Sequence, residues 1–138
     1  MHPKNPYCNR YDIQRFIKRY PLLKEHITLN PSNEKTIDFS SSKGVYALNK
    51  AMLLTDFRLK DYCLPKGYLI PPVPGRLDYL LYLRDFISKK FYTVQDKKLK
   101  GLDIGCGANG IYCILGAQYF NWKMEGIDCD KKAIEIVN

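Results

Sequence analysis

Gly105, Gly107 and Gly110 stand at the spacing G-x-G-x-x-G, and Asp128 closes a second run, Gly126-Ile127-Asp128, eighteen residues after the last of them. Missing side chains at such positions let a backbone turn sharply and approach a ligand, and an acid ending the next strand reaches the hydroxyls of a ribose held at the turn. The glycines alone describe any nucleotide loop. Asp103, two residues before the first glycine, narrows the chemistry. Helix N-termini attract phosphate, and a fixed carboxylate beside one works against that attraction. The pattern suits an adenosine cofactor that carries an ammonium group better than one that carries a pyrophosphate.

S-adenosylmethionine has the ammonium and lacks the phosphates. The D-x-G-x-G turn with its acidic strand end resembles the cofactor site of class I methyltransferases. A nicotinamide dinucleotide site stays open on the strength of the complete glycine pattern, and so does a strand-turn-helix that holds no ligand.

The elements that must position these residues can be read outward from the loop. From Lys100 the pattern is strand, glycine turn, helix from Ile111 to Tyr119, strand from Lys123 to Asp128, and the first turns of another helix. That is a strand-helix-strand unit of a parallel sheet. Sheets of this kind bury both faces under helices, so two strands are an unfinished domain with an exposed edge. Upstream, Arg76 opens a predicted helix with Leu77, Leu80, Leu81 and Ile87 inward. Gly67 to Gly75, with three prolines, reads as a rigid non-helical loop. A helix is expected from the Ser40-Ser41-Ser42 caps to about Thr55, with Val45, Leu48, Met52 and Leu53 on its buried face. Thr36 to Phe39 alternates like a short strand. Between Asn9 and Tyr20, Ile13, Phe16, Ile17 and Tyr20 recur at helical spacing until Pro21 ends the run.

The expected architecture is α/β. A basic, mainly helical module spanning 1–66 precedes the start of a Rossmann-like domain spanning 67–138 that is cut after its second sheet strand.

The chain has 138 residues, 46% of them hydrophobic, and a net charge of +8. Its distribution is uneven: 19 of the 22 Lys and Arg lie in residues 1–100, against 9 of the 14 acids. The basic charge is upstream of the glycine loop, as expected of a polyanion partner, although a solvated lysine-rich surface gives the same composition. Lys4, Arg10, Arg15, Lys18 and Arg19 are the candidate RNA contacts, interleaved with Tyr7, Tyr11 and Tyr20, which suit stacking on unpaired bases and packing equally, with packing favoured for Tyr20. The five cysteines include no C-x-x-C pair, so reduced thiols and no metal site are expected. No apolar run is long enough for a membrane span and the first residues carry no signal core, so a cytoplasmic location is expected, or a nuclear one in a eukaryote.

Five blocks together carry a more specific resemblance: Met1-His2-Pro3-Lys4-Asn5, Ile37-Asp38-Phe39, Ala47 to Ala51, Pro71 to Tyr79, and Leu102 to Gly116. In this order they resemble the adenine-N6 RNA methyltransferases of bacterial 23S ribosomal RNA and their eukaryotic relatives, which act on a spliceosomal small nuclear RNA and on messenger RNA hairpins. The resemblance covers essentially the whole chain and implies S-adenosylmethionine as cofactor and structured, ribosomal RNA as partner. It implies that Arg76 meets the methionine carboxylate, Asp103 the ammonium, and Asp128 the ribose hydroxyls. It also implies that Gly105 and Gly107 pass the ligand by their backbone and that Asn109 makes a polar contact.

The departures are as informative. In that family an Asn-Pro-Pro-Phe segment holds the target adenine, the asparagine and a backbone carbonyl accepting from its amine while the aromatic ring stacks. This chain has no such segment, and Asn30-Pro31-Ser32 is no substitute. No residue here is therefore expected to be catalytic. The chain alone is expected to be inactive, with a polypeptide encoded downstream as a candidate complement. Gly110 and Cys113 also depart from what relatives often carry. Two rivals remain at this stage: a dinucleotide-binding domain, and a non-enzymatic RNA-binding protein derived by truncation.

Overall fold

A computed structural model describes residues 1–9, 11–91 and 99–137. It divides the chain into two compact units, Arg10–Cys63, and Met1–Asn9 together with Leu64–Asn138.

The Arg10–Cys63 unit is built from two helices, a 3-10 turn and a short hairpin. Asp12 caps helix α1 (Ile13–Arg19), its carboxylate accepting the Arg15 N–H at 3.1 Å. Tyr20 ends α1, and Pro21, which has no N–H to leave unpaired, opens the 3-10 helix Pro21–His26. Strand β1 (Ile27–Leu29) pairs antiparallel with β2 (Lys35–Ile37). The side-chain oxygen of Asn30 ties their turn by accepting from Ser32 and Glu34. Ser41 caps α2 (Ser42–Asp56) through the Gly44 N–H. Phe16, Leu23, Ile37, Leu48, Ala51, Met52 and Leu53 form the core.

The second unit holds α3 (Val73–Lys90), β3 (Lys100–Ile104), α4 (Ile111–Phe120), β4 (Lys123–Ile127) and α5 (Lys131–Val137). Strands β3 and β4 are parallel, in register from Lys100–Lys123 to Ile104–Ile127. Helix α4 crosses between them and covers one face. There Met124 lies where side chains on Gly101 and Gly116 would collide with it, at 2.5 and 2.8 Å, so both glycines serve close packing. Asn121, in the left-handed conformation, ends α4. The opposite face of the strand pair presents Leu102, Ile104 and Ile127, each half exposed or more. A parallel pair with one bare apolar face agrees with the unfinished sheet expected from the sequence.

Several expectations are corrected. Residues 1–9 group with Leu64–Asn138. They run along α3, where the Asp78 carboxylate accepts the His2 backbone N–H at 2.6 Å and the Asn5 amide at 3.0 Å. The Asn5 amide also donates to the Pro74 carbonyl at 3.0 Å. Helix α3 begins at Val73, three residues before Arg76, because Pro74 occupies the first turn, where a missing N–H breaks no helical bond. The expected strand Thr36–Phe39 ends at Ile37, since Asp38 turns the chain by accepting both the N–H and hydroxyl of Ser40. Val45 is half-buried rather than part of the buried face of α2. No helix among the described residues is long and apolar enough to cross a membrane.

Candidate functional site

Strand β3 delivers Asp103 and then gives way to the glycine turn, in which Gly105, Gly107 and Gly110 all have positive φ, at 82°, 61° and 51°. The turn is fastened to the end of β4. Gly105 and Cys106 donate their N–H groups to the Ile127 carbonyl at 2.8 and 3.1 Å, and Gly107 donates to Oδ2 of Asp128 at 2.8 Å. Oδ1 of Asp128 accepts the Asp130 N–H at 2.9 Å. Each Asp128 oxygen keeps acceptor capacity beyond these bonds. The backbone donors of Asp130 and Gly107 hold its carboxyl below the usual carboxylate range.

Asp103 has the reverse environment. It is half-buried, accepts no hydrogen bond among the described residues, and is pushed up by burial and then by the nearby Asp128 charge. Two acids that share a site and part in this way leave one poised for a cation. Burial pushes up the thiols of Cys106 and Cys113, that of Cys113 to about 11. Their sulfurs lie 3.0 and 3.1 Å from where a side chain on Gly126 would begin, so this glycine is needed for space.

Arg76 sits in the first turn of α3 with Nη1 donating to the Tyr112 hydroxyl at 3.0 Å and its guanidinium 5.6 Å from the Tyr112 ring centre. Asn109 joins loop to helix: its oxygen accepts the Ile111 N–H at 3.1 Å, and its amide reaches the Leu69 carbonyl at 3.4 Å. A cavity of about 290 Å³ is lined by Arg76, Asp103, Gly105, Gly107 and Asn109 among others. Of the six residues expected at a cofactor, five border this one cavity, and Asp128 is bonded to its rim through Gly107.

Residues that sequence reasoning passed over also border it. Tyr112 orients Arg76, and its only sequence signal is an aromatic residue in the second position of the helix that follows the turn. Tyr68, Leu69 and Pro71 line the opposite wall, and the Tyr68 hydroxyl reaches Asp130 at 3.4 Å. The proline loop therefore serves as a wall of the cavity.

The candidate RNA contacts fall in both units. Arg15, Lys18 and Arg19 are exposed on α1, with Arg15 ion-paired to Asp56 and Arg19 donating to the Leu59 carbonyl at 3.2 Å. Lys4 is exposed in the other unit, and Arg10 lies outside the described residues. Tyr7 is only 5% exposed, so it packs rather than stacks on a base. Tyr20 is half-buried beneath Lys50 Nζ, 5.5 Å from its ring centre, and Tyr11 is half-buried. No group of three or more metal-ligating side chains occurs among the described residues.

Comparison with known proteins gives this geometry a context. A family model described as RNA methyltransferase matches residues 1–138. Ribosomal RNA large subunit methyltransferase F of Desulfotalea psychrophila is 44% identical over 137 residues, covering 99% of this chain and 44% of that protein. The Shewanella frigidimarina protein of the same name is 41% identical, covering 99% of this chain and 38% of its own length. The chain thus spans less than half the length of these curated relatives. Among solved structures, the N-terminal domain of human METTL16 in complex with SAH matches with a TM-score of 0.84 at 31% identity, over 99% of this chain and 52% of that one. The human METTL16 catalytic domain bound to the MAT2A 3′UTR hairpin 6 matches at 0.82 and 30% identity, over 99% and 47%. The fold is the class I methyltransferase fold, present here in part.

Proposed function

Since this chain belongs to the RNA methyltransferase family, we propose that it carries half of an S-adenosylmethionine pocket and an RNA-binding surface for N6-methylation of an adenosine in structured RNA, large-subunit ribosomal RNA first among candidates. The observation that carries this reading is the convergence on one cavity of Arg76, Asp103 and the Gly105–Asn109 loop, with Asp128 fastened to its rim. The residues suit the cofactor chemically. Arg76 offers planar, charge-assisted donors for the methionine carboxylate. Asp103, an acid without a donor of its own, offers an anion to the ammonium. Asp128 has acceptor capacity for the two ribose hydroxyls, and a pyrophosphate at the same place would face Asp103. The family relative solved with SAH supports the same assignment.

S-adenosylmethionine supplies an electrophilic methyl group on a sulfonium. This chain's residues bind and orient it, and catalysis in such enzymes is largely a matter of holding nucleophile and methyl group in line. No Asn-Pro-Pro-Phe occurs among these 138 residues, and none of them is assigned to hold the target adenine. Arg15, Lys18 and Arg19, with Arg10 and Lys4, supply phosphate contacts. The relative solved with an RNA hairpin and the ribosomal RNA methyltransferase relatives support RNA as the partner.

The test is transfer of a labelled methyl group from S-adenosylmethionine to large-subunit ribosomal RNA, by the chain alone and with the polypeptide encoded immediately downstream. Label in the RNA, recovered as N6-methyladenosine, is expected only in the second case. Label at another position, or tight binding of NADH with none of S-adenosylhomocysteine, overturns the reading. RNA binding without cofactor binding favours the non-enzymatic alternative.

Asp103 yields a prediction of opposite sign for stability and for binding. Its folded-state pKa is raised, so its contribution to stability is present at low pH and is lost as pH rises through that pKa. Asp103→Asn should therefore raise the thermal midpoint of the ligand-free chain at neutral pH and leave it nearly unchanged in acid. The same substitution removes the charge that meets the ammonium. Affinity for S-adenosylhomocysteine should fall, and the wild-type rise in affinity from acid to neutral pH should flatten. Melting scans and calorimetric titrations at acidic and neutral pH read both effects. A variant destabilised at neutral pH, with affinity intact, refutes the assignment.

A further inference from the structure

We propose that the outward face of α3, formed by Tyr82, Phe86, Lys89 and Lys90 with Lys4 beside it, is a second RNA contact on which unpaired bases stack while the lysines meet phosphates. The inference rests on the RNA reading above and adds a surface outside the α1 cluster and outside the cofactor cavity.

The helix itself separates the two sides. At 3.6 residues per turn, Val73, Leu77, Leu80 and Leu81 form its buried row, whereas Tyr82, Phe86, Lys89 and Lys90 centre on the opposite side. Tyr82 is 53% and Phe86 60% exposed. A helix with leucines inward and large aromatic rings outward has a use for those rings other than its own core.

The rings are already ordered. The His2 ring meets Tyr82 edge-on, with centroids 4.8 Å apart and an interplanar angle of 81°. His2 is itself fixed, because its Nδ1 accepts the Lys4 N–H at 3.1 Å, leaving Nε2 to donate to Asp85 at 3.0 Å. Lys90 Nζ lies 5.8 Å from the centre of the Phe86 ring. Between Pro3–Lys4 and the Tyr82–Phe86–Lys89 side of α3 runs a groove of about 430 Å³. Stacking on pre-ordered rings costs little side-chain entropy.

Charge identifies the occupant. Lys4, Lys89 and Lys90 border the rings, while Asp85 is engaged by His2 and by Arg84 Nε at 3.0 Å. Aromatic rings interleaved with lysines make the composition of single-stranded nucleic-acid surfaces, whereas protein interfaces are depleted in lysine. A polyanion with flat faces fits both features, and RNA is that polymer.

The experiment is fluorescence anisotropy of a labelled, unpaired oligoribonucleotide titrated with the chain across a range of salt. Tyr82→Ala/Phe86→Ala should weaken binding by about tenfold per ring while leaving the salt slope unchanged, since stacking releases no counterions. Tyr82→Phe/Phe86→Tyr keeps the rings and should restore affinity, and circular dichroism of each variant should match the wild type. Lys89→Ala/Lys90→Ala should reduce the salt slope by about 1.4, from roughly 0.7 per single-strand phosphate contact. If the ring variant binds within twofold of wild type while Arg15→Ala/Lys18→Ala/Arg19→Ala loses affinity, this surface is overturned and the RNA reading stands. If the wild-type chain binds no RNA, both fail. If the ring variant changes sedimentation rather than RNA affinity, the face is a protein interface and the proposal is overturned.

Discussion

Arg76→Ala is expected to weaken binding of S-adenosylhomocysteine by one to two orders of magnitude without unfolding the chain. A hydrogen bond to a charged group is worth about 1.5–3 kcal/mol, and one made by both donors of a guanidinium lies at the upper end, which corresponds to roughly 10- to 150-fold in affinity. Arg76 is positioned for it by three features. The first turn of α3 places it at the cavity wall, Tyr112 accepts from Nη1 at 3.0 Å, and Asn5 braces the adjoining Pro74 carbonyl at 3.0 Å. Its side chain is only half-buried, so its removal leaves no core cavity. Arg76→Lys should recover little, because an ammonium is a point charge that cannot match a carboxylate through two parallel bonds. Tyr112→Phe should have a smaller effect of the same sign, through loss of orientation. Calorimetric titration with S-adenosylhomocysteine measures all three. An Arg76→Ala variant within twofold of wild type would remove this residue from the pocket.

The second large effect concerns stability. Phe16 is 1% exposed, and α1 has seven residues, too few to persist as a helix without the tertiary contacts of that ring. Phe16→Ala should cost about 3–5 kcal/mol, a large share of the roughly 5–15 kcal/mol that holds a domain together. Urea unfolding should show an earlier midpoint, and RNA affinity should fall with it, because Arg15, Lys18 and Arg19 ride on the same helix. Lys18→Ala separates the two consequences. An exposed substitution of this kind changes stability by no more than about 0.5 kcal/mol, yet it should lower the salt dependence of RNA binding. A Phe16→Ala chain as stable as wild type would mean that α1 is not anchored through this ring.

Much of the fold could be read from local pattern, and the parts that could not share a cause. Helix α4 and strand β4 lie within a residue of their expected bounds, because the glycine turn before and Asn121 after are local stop signals. Strand β1 went unread, since three residues carry too little alternation to show a period and exist as a strand only by pairing with β2. Helix α3 starts ahead of the expected Arg76 because the first helical turn tolerates the proline that breaks a helix elsewhere. By its neighbours in sequence Tyr7 suits stacking and packing alike. Burial, which depends on what folds over a residue, gave it the packing role.

The site divides along the same line. Asp103, Gly105, Gly107 and Asn109, which border the cavity, lie within one strand-turn-helix-strand unit, where spacing in sequence is spacing in space. For Tyr112 and Tyr68 no spacing rule applies. They join the cavity only because α3, the proline loop and the glycine turn converge.

By itself the sequence determined the family and the parallel strand-helix-strand unit with its glycine turn, since each is written in residue types at short separation. Only the tertiary structure decided that residues 1–9 brace α3, that Arg76 is oriented by Tyr112, and that the aromatic rings of α3 face outward. Those facts depend on hydrogen bonds and packing between residues up to 83 positions apart, such as His2 with Asp85, which local periodicity does not encode.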